Sequence, residues 1–182
     1  GRVIDGFCAL AGVARGAASH RDELLLSLLL DDHYPGSLPQ TLQRLGQAAE
    51  QLKDRWTPDA SRILDEIGQR LVQAQGLRPQ ALGAIEEALD PLITALLTFS
   101  GLSLESMTRE QGWRFLMIGR RLERAQGTAT LLVETLSEAS DSAAEPLILE
   151  SLLRAHDSVM THRRRYSALL DPASFLEVLL LD

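Results

Sequence analysis

A short group of charged residues is the densest set of chemically useful side chains in the sequence. Glu123 and Arg124 follow Arg120 by three and four residues, which places all three on one face of a predicted helix. The arginines could hold a carboxylate or phosphate while Glu123 acts as a general acid or base. Trp113 and Leu116 lie on the same face, which predicts that the row is a partly buried ionic network. An ordinary exposed helix with Glu–Arg pairs fits the same spacing.

The next predicted helix offers a complement to this charged row. His156, Arg163 and Tyr166 lie there, and Arg163 and Tyr166 are three residues apart on one side. A guanidinium and a phenol that converge with Glu123 could bind an anion or a carboxylate-bearing substrate. A solvated basic surface over residues 163–165 is the simpler interpretation of the same segment.

Several common kinds of catalytic or metal site have no counterpart in the sequence. There is no Glu-x-x-His pair for a di-iron centre, and His156 and His162 are six apart, which suits shared metal binding poorly. There is no phosphate-binding glycine loop and no Gly-x-Ser-x-Gly turn. Cys8 follows Phe7 in an apolar helix, which predicts a buried, inert thiol. We therefore expect no metal and no cofactor.

The composition predicts the scaffold that carries these residues. Among 182 residues there are 36 leucines and 21 alanines, whereas valine and isoleucine together number 13. This balance favours helices and argues against a β-sandwich, a β-barrel, a doubly wound α/β fold or a disordered chain. We predict an all-α protein, a single helical bundle of about seven or eight helices over residues 1–182.

Local signals predict where individual helices begin and end. Capping sequences mark four starts, at Ser37, Thr57, Thr108 and Asp171. An apolar stripe follows the longest helix and includes Phe115, Ile118 and Leu122. The remaining boundaries are a first helix ending near Gly16, a kink or break at Pro91, a connector over 101–107, the longest helix over 109–137 and one long helix over 146–170.

The chain contains one short internal repeat. The Leu-Leu-Leu-Asp of residues 28–31 recurs at residues 179–182, 151 residues later, and each copy ends a short apolar helix. A duplication predicts two similar helical units with truncated ends, and chance is the alternative in a leucine-rich chain. The sequence begins Gly-Arg-Val without methionine, so we expect a fragment of a longer protein.

Charge and hydropathy restrict the partners and the compartment. The net charge of −7 argues against sequence-independent binding of nucleic acid, which needs a basic surface. The longest apolar run, residues 24–30, is shorter than the roughly 20 residues of a membrane span. A single cysteine cannot form an internal disulfide and fits a reducing compartment. We expect a cytoplasmic protein that binds neither nucleic acid nor membranes.

The most specific stretch resembles a known family. Gly-Trp-Arg-Phe at 112–115 and Gly-Arg-Arg-Leu-Glu-Arg-Ala at 119–125 are similar to the bacterial Alpha-E family, an all-helical domain named for its Glu-Arg motif. The likeness extends to residues 100–109, to 157–166 and to the Leu-Leu-Leu-Asp near the start. Family members usually carry an earlier Gly-Arg…Glu-Arg copy and a loop after the second Leu-Leu-Leu-Asp. Both are absent here, which again implies an excised piece.

The resemblance implies a functional setting. Alpha-E domains occur fused to, or encoded beside, circularly permuted ATP-grasp proteins, often with transglutaminase-like proteins nearby. ATP-grasp enzymes join a carboxylate to an amine through an acyl phosphate. The resemblance therefore implies a part in forming peptide or amide bonds, with an ATP-grasp domain as partner in cis or in trans.

Three functions are compatible with these observations. The first is a non-catalytic helical module that docks on an ATP-grasp ligase. The second is a catalytic domain with Glu123 as acid or base, in which Arg120, Arg124 and Arg163 hold an anion. The third is a helical oligomerisation element. We favour the first, because the sequence offers no nucleophile, metal set or cofactor loop.

Overall fold

The computed structural model describes residues 2–12, 21–77, 82–136, 145–167 and 170–181. Within these ranges the chain forms nine α-helices and no strand, which confirms the all-α class. In chain order the helices are α1 Arg2–Leu10, α2 Arg21–Leu30, α3 Leu38–Gln51, α4 Pro58–Leu77, α5 Leu82–Ser106, α6 Gln111–Leu136, α7 Glu145–Ala155, α8 Val159–Tyr166 and α9 Pro172–Leu181. A 3-10 turn over Lys53–Arg55 joins α3 to α4.

Helices α3 and α4 begin at their predicted caps. The buried Ser37 side chain accepts a hydrogen bond from the Gln40 N–H at 3.4 Å, at the start of α3. The Thr57 hydroxyl accepts from the Ala60 N–H at 3.2 Å, and α4 begins at Pro58. Each hydroxyl satisfies a backbone donor that the helix itself leaves unpaired, which is why both positions can be read from sequence.

Three predicted boundaries in the region of α1 and α5 are wrong. α1 ends at Leu10 instead of near Gly16, and Gly12 lies just after it with a φ of 75°. α5 is unbroken through Pro91 to Ser106, so neither a break nor a connector over 101–107 forms. Pro91 is exposed, so water can reach the carbonyl that the proline leaves without a donor.

Two boundaries in the second half also differ. α6 begins at Gln111, two residues after the predicted start, and is described as far as Leu136. The long helix expected over 146–170 is divided into α7 and α8. Asp157 adopts a φ of 54°, and the Ser158 N–H donates to the Leu153 carbonyl at 2.8 Å, which closes a Schellman-type end. Glycine usually fills this position, so an aspartate gave no clear stop signal.

The chain divides into two compact units. The central unit comprises Ala11–Arg124, and its core is formed where α4 packs against α5. The buried members of this core are Ala60, Ile63, Ile67, Leu92, Ala95 and Phe99. Within the described ranges, Ala84–Ser106 of α5 is the one stretch long and apolar enough to cross a membrane by length and composition alone.

The terminal unit comprises Gly1–Leu10 and Ala125–Asp182. Its core is built by the end of α6 with α7 and α9, through the buried side chains of Leu131, Leu149, Leu152, Leu153, Phe175 and Val178. Cys8 on α1 is buried, as predicted. The second copy of the short internal repeat, at residues 179–182, ends at residue 182, which lies outside the described residues, so the duplication stays a prediction.

Candidate functional site

The charged row of Arg120, Glu123 and Arg124 lies on α6, which is helical throughout this stretch. All three side chains are exposed, so the predicted burial of the row is wrong. The reason is that the core of the central unit is formed by helices α3, α4 and α5. Among its described members none comes from α6. The assignment of the row as an anion-binding or ionic site stays a prediction.

The apolar stripe beside the charged row is exposed as well. The exposed fractions are 72% for Phe115, 53% for Ile118 and 65% for Leu122. These side chains are three and four residues apart, so they form one continuous apolar face, which we call the α6 face. These three large apolar side chains on one side of the helix form an exposed apolar patch.

His156 joins two helices of the terminal unit. Its Nδ1 lies 2.9 Å from the Leu152 carbonyl oxygen, and its Nε2 lies 3.0 Å from the Thr128 hydroxyl. A carbonyl can only accept, so Nδ1 carries a proton and donates it. In the neutral ring, Nε2 then accepts from Thr128 of α6. Both ring nitrogens are engaged, which indicates a structural role at the end of α7.

Arg163 and Tyr166 lie one turn apart on α8, as predicted, and each meets a residue that the sequence did not single out. The Arg163 Nη2 is 4.0 Å from the Glu150 Oε1 of α7. The Tyr166 ring centroid is 5.3 Å from that of His162. Within this unit the carboxylate partner of Arg163 is therefore Glu150.

A small cavity in the terminal unit brings some of these groups together. Its volume is about 200 Å³, and its lining consists of Glu150, Leu153, Val159, His162, Arg163, Ser167 and Leu170. His162 is 3% exposed, with Nε2 at 3.1 Å from the Ser174 hydroxyl. His162 was not predicted as a core residue. Its spacing from Val159 and Tyr166 was the available signal, whereas its contact with Ser174 depends on tertiary packing.

Asp171 caps α9 beside this cavity. Its Oδ1 accepts from the Ala173 N–H at 2.9 Å and from the Ser174 N–H at 3.1 Å. The pKa of the Asp171 carboxyl is held below its ordinary value of 3.8. The main cause is the hydrogen bond from the Ser174 backbone N–H, and the next is that from the Ser174 side chain. The predicted helix start at Asp171 and Pro172 is therefore confirmed.

This lowered pKa predicts an acid-dependent stability. A carboxyl whose pKa is lower in the folded state stabilises the fold above its unfolded pKa, and the benefit disappears as pH falls through the folded pKa. We expect Asp171→Ala to lower the thermal midpoint at neutral pH, with a gap to the wild type that narrows as pH falls below about 4. Differential scanning calorimetry across pH measures it, with Glu177→Gln on the same helix as control. A gap that stays constant with pH contradicts the assignment.

A third cluster of polar side chains lies in the loop after α2. Asp31, Asp32 and His33 are exposed, and among the described residues they alone place three metal-type ligand atoms within 4.8 Å of one another. The His33 ring already pairs with the Asp32 carboxylate at 2.5 Å.

Comparisons with known proteins give the family and little about the reaction. The model of the Alpha-E family, described as "a predicted alpha-helical domain with a conserved ER motif", matches residues 2–182. Uncharacterized proteins from two strains of Mycobacterium tuberculosis and from Mycobacterium bovis are 34% identical over 162 residues, covering 87% of this chain. The chain spans 18% of the length of these relatives. No solved structure matches the chain significantly.

Proposed function

Because the chain belongs to the Alpha-E family over residues 2–182, we propose that it is a non-catalytic helical module that docks on an ATP-grasp peptide or amide ligase. The observation that carries this proposal is the α6 face of Phe115, Ile118 and Leu122. It lies in the stretch that bears the Glu-Arg motif, and its side chains are exposed. An exposed apolar face at the family's own motif is better suited to binding a protein than to chemistry in water.

The neighbouring charges suit the rim of such an interface. Protein interfaces combine an apolar centre with a polar rim, and charges at the rim fix orientation more than they add affinity. The charged row of Arg120, Glu123 and Arg124 is exposed beside these apolar side chains and carries both positive and negative charges. In this role the charged row pairs with complementary charges of the ligase instead of a substrate.

The lengths of the relatives support a modular role. A chain that spans 18% of each relative corresponds to one part of a larger polypeptide. The ligase partner can therefore lie in the same polypeptide or in a separate one, and a transglutaminase-like protein is a further candidate partner. A role beside an ATP-dependent ligase agrees with a cytoplasmic location, where ATP is available.

The role of Glu123 separates this module from the catalytic alternative. Glu123→Gln removes the ionisable carboxylate with little change in shape, and the side chain is exposed, so we expect the fold to be retained. For a docking module, ligation by the ATP-grasp partner, measured as ADP release, stays within about twofold of the wild type. For an acid or base, turnover falls by about 100-fold or more while binding to the ligase is intact.

A matched control makes this result specific. Glu87→Gln changes an exposed glutamate of α5 in the same way, outside the motif. Turnover that falls in Glu123→Gln and not in Glu87→Gln, with unchanged association, overturns the docking proposal in favour of catalysis.

A further inference from the structure

A groove lies in the central unit beside the start of α6. It shares Phe115 with the α6 face and contains no residue of the charged row. Its volume is about 860 Å³, and it is formed by the end of α3, the 3-10 turn, α5 and the start of α6. Its walls include Leu45, Trp56 and Phe99. The Trp56 ring lies 5.3 Å from that of Phe99, and its Nε1 donates to the Ala49 carbonyl at 3.1 Å. These contacts fix the aromatic wall, so the groove is formed before any ligand arrives.

The charged residues around the groove are mostly cationic. Arg55, Arg109 and Arg114 line it, with Glu110 as the one acidic residue among the lining side chains that are described. In the described part of the chain, no carboxylate forms an ion pair within 4.0 Å of these three guanidinium groups. The whole chain carries a net charge of −7, so this groove is a local positive region on an acidic protein.

The structure points to a specific occupant: we propose that this groove binds an acidic peptide segment that carries large apolar side chains. The apolar wall suits an apolar body, and the exposed guanidinium groups are free to pair with anions on a ligand. Arg55 belongs to the 3-10 turn, whereas Arg109 and Arg114 flank the start of α6. A ligand that pairs with arginines on both elements needs at least two carboxylates separated by apolar groups. A peptide with glutamates on either side of leucine or phenylalanine meets this requirement.

The exposed side chains of the groove agree with a peptide of this kind. Leu52 is 52% exposed and Phe115 is 72% exposed, and both line the groove. A bound apolar side chain removes this surface from water, and the guanidinium groups can each form paired hydrogen bonds with a carboxylate. The groove shares Phe115 with the α6 face, whereas Ile118 and Leu122 do not line it, so substitutions at Ile118 and Leu122 test docking on the ligase separately from peptide binding in the groove.

The test uses three fluorescein-labelled peptides of equal length and the whole chain. The first alternates glutamate with leucine and phenylalanine, the second has lysine in place of glutamate, and the third has serine in place of the apolar residues. Fluorescence anisotropy measures each Kd for the wild type, for Arg55→Glu with Arg114→Glu, and for Leu52→Ser. The control pair is Arg44→Glu with Arg121→Glu, two exposed arginines that do not line the groove. Circular dichroism confirms that every variant is folded.

We expect the acidic apolar peptide to bind the wild type more tightly than either other peptide. Reversing the charges of Arg55 and Arg114 raises the Kd of the acidic apolar peptide by about tenfold or more and makes the lysine peptide the better ligand. The control pair changes the Kd by less than about twofold, since screening weakens distant charges. Equal binding of the acidic and lysine peptides, or equal losses in the control pair, overturns the proposal. Binding of 8-anilinonaphthalene-1-sulfonate without any binding of the acidic peptide also overturns it and indicates a pocket for small molecules.

Discussion

Replacement of Phe175 by alanine is expected to lower the free energy of unfolding by about 3–5 kcal/mol, because it removes a large aromatic side chain from a closed core. Phe175 is 0% exposed and lies in the core of the terminal unit with Leu149 and Leu152, which are also 0% exposed. The loss combines the transfer of the ring with the cavity that remains. The free energy of unfolding of a domain of ordinary stability is about 5–15 kcal/mol, so this loss is a large share of it.

Urea unfolding followed by circular dichroism measures this effect. Leu180→Ala is the matched control, because it shortens an apolar side chain on the same helix that is 63% exposed. We expect the control to change the free energy of unfolding by no more than about 0.5 kcal/mol. If the change in the free energy of unfolding caused by Phe175→Ala lies within about 1 kcal/mol of that of the control, this contradicts a core organised around α9.

The parts of the fold that were predicted correctly depend on local chemistry. Ser37, Thr57 and Asp171 each accept a hydrogen bond from a backbone N–H two or three residues later, so the whole interaction is present in a short segment of sequence. The wrong boundaries involve exceptions to local preference. α5 continues through Pro91, and Asp157 ends α7 in a conformation that glycine usually adopts.

The candidate site was harder to predict because burial depends on the rest of the molecule. Helical periodicity correctly placed Arg120, Glu123 and Arg124 on one helix, yet it does not reveal what faces them. Periodicity also identified an apolar stripe that includes Ile118, and it could not show that the structure leaves Phe115, Ile118 and Leu122 exposed. His162 was missed for a related reason, since its hydrogen-bond partner Ser174 is twelve residues away in another helix.

The exposed stripe leads to the sharpest expectation about function. Ile118→Glu combined with Leu122→Glu is expected to weaken binding to the proposed ATP-grasp partner by about 100-fold or more, since hot spots at the centre of interfaces cost at least about 1–2 kcal/mol each. Each glutamate would also place a charge without a partner in an apolar interface. The two native side chains are 53% and 65% exposed, so the fold of the free chain should be little affected.

Isothermal titration calorimetry of the chain with the ligase gives the Kd, and light scattering gives the mass of the free chain. The control pair is Val72→Glu with Leu97→Glu, which are 66% and 68% exposed on α4 and α5. The docking proposal requires unchanged binding in this control and a monomeric wild type. A wild type that self-associates, and becomes monomeric in Ile118→Glu with Leu122→Glu, shows that the α6 face pairs with a second copy of the chain. Equal losses in both pairs of variants would mean that added acidic charge, and not the apolar face, governs binding.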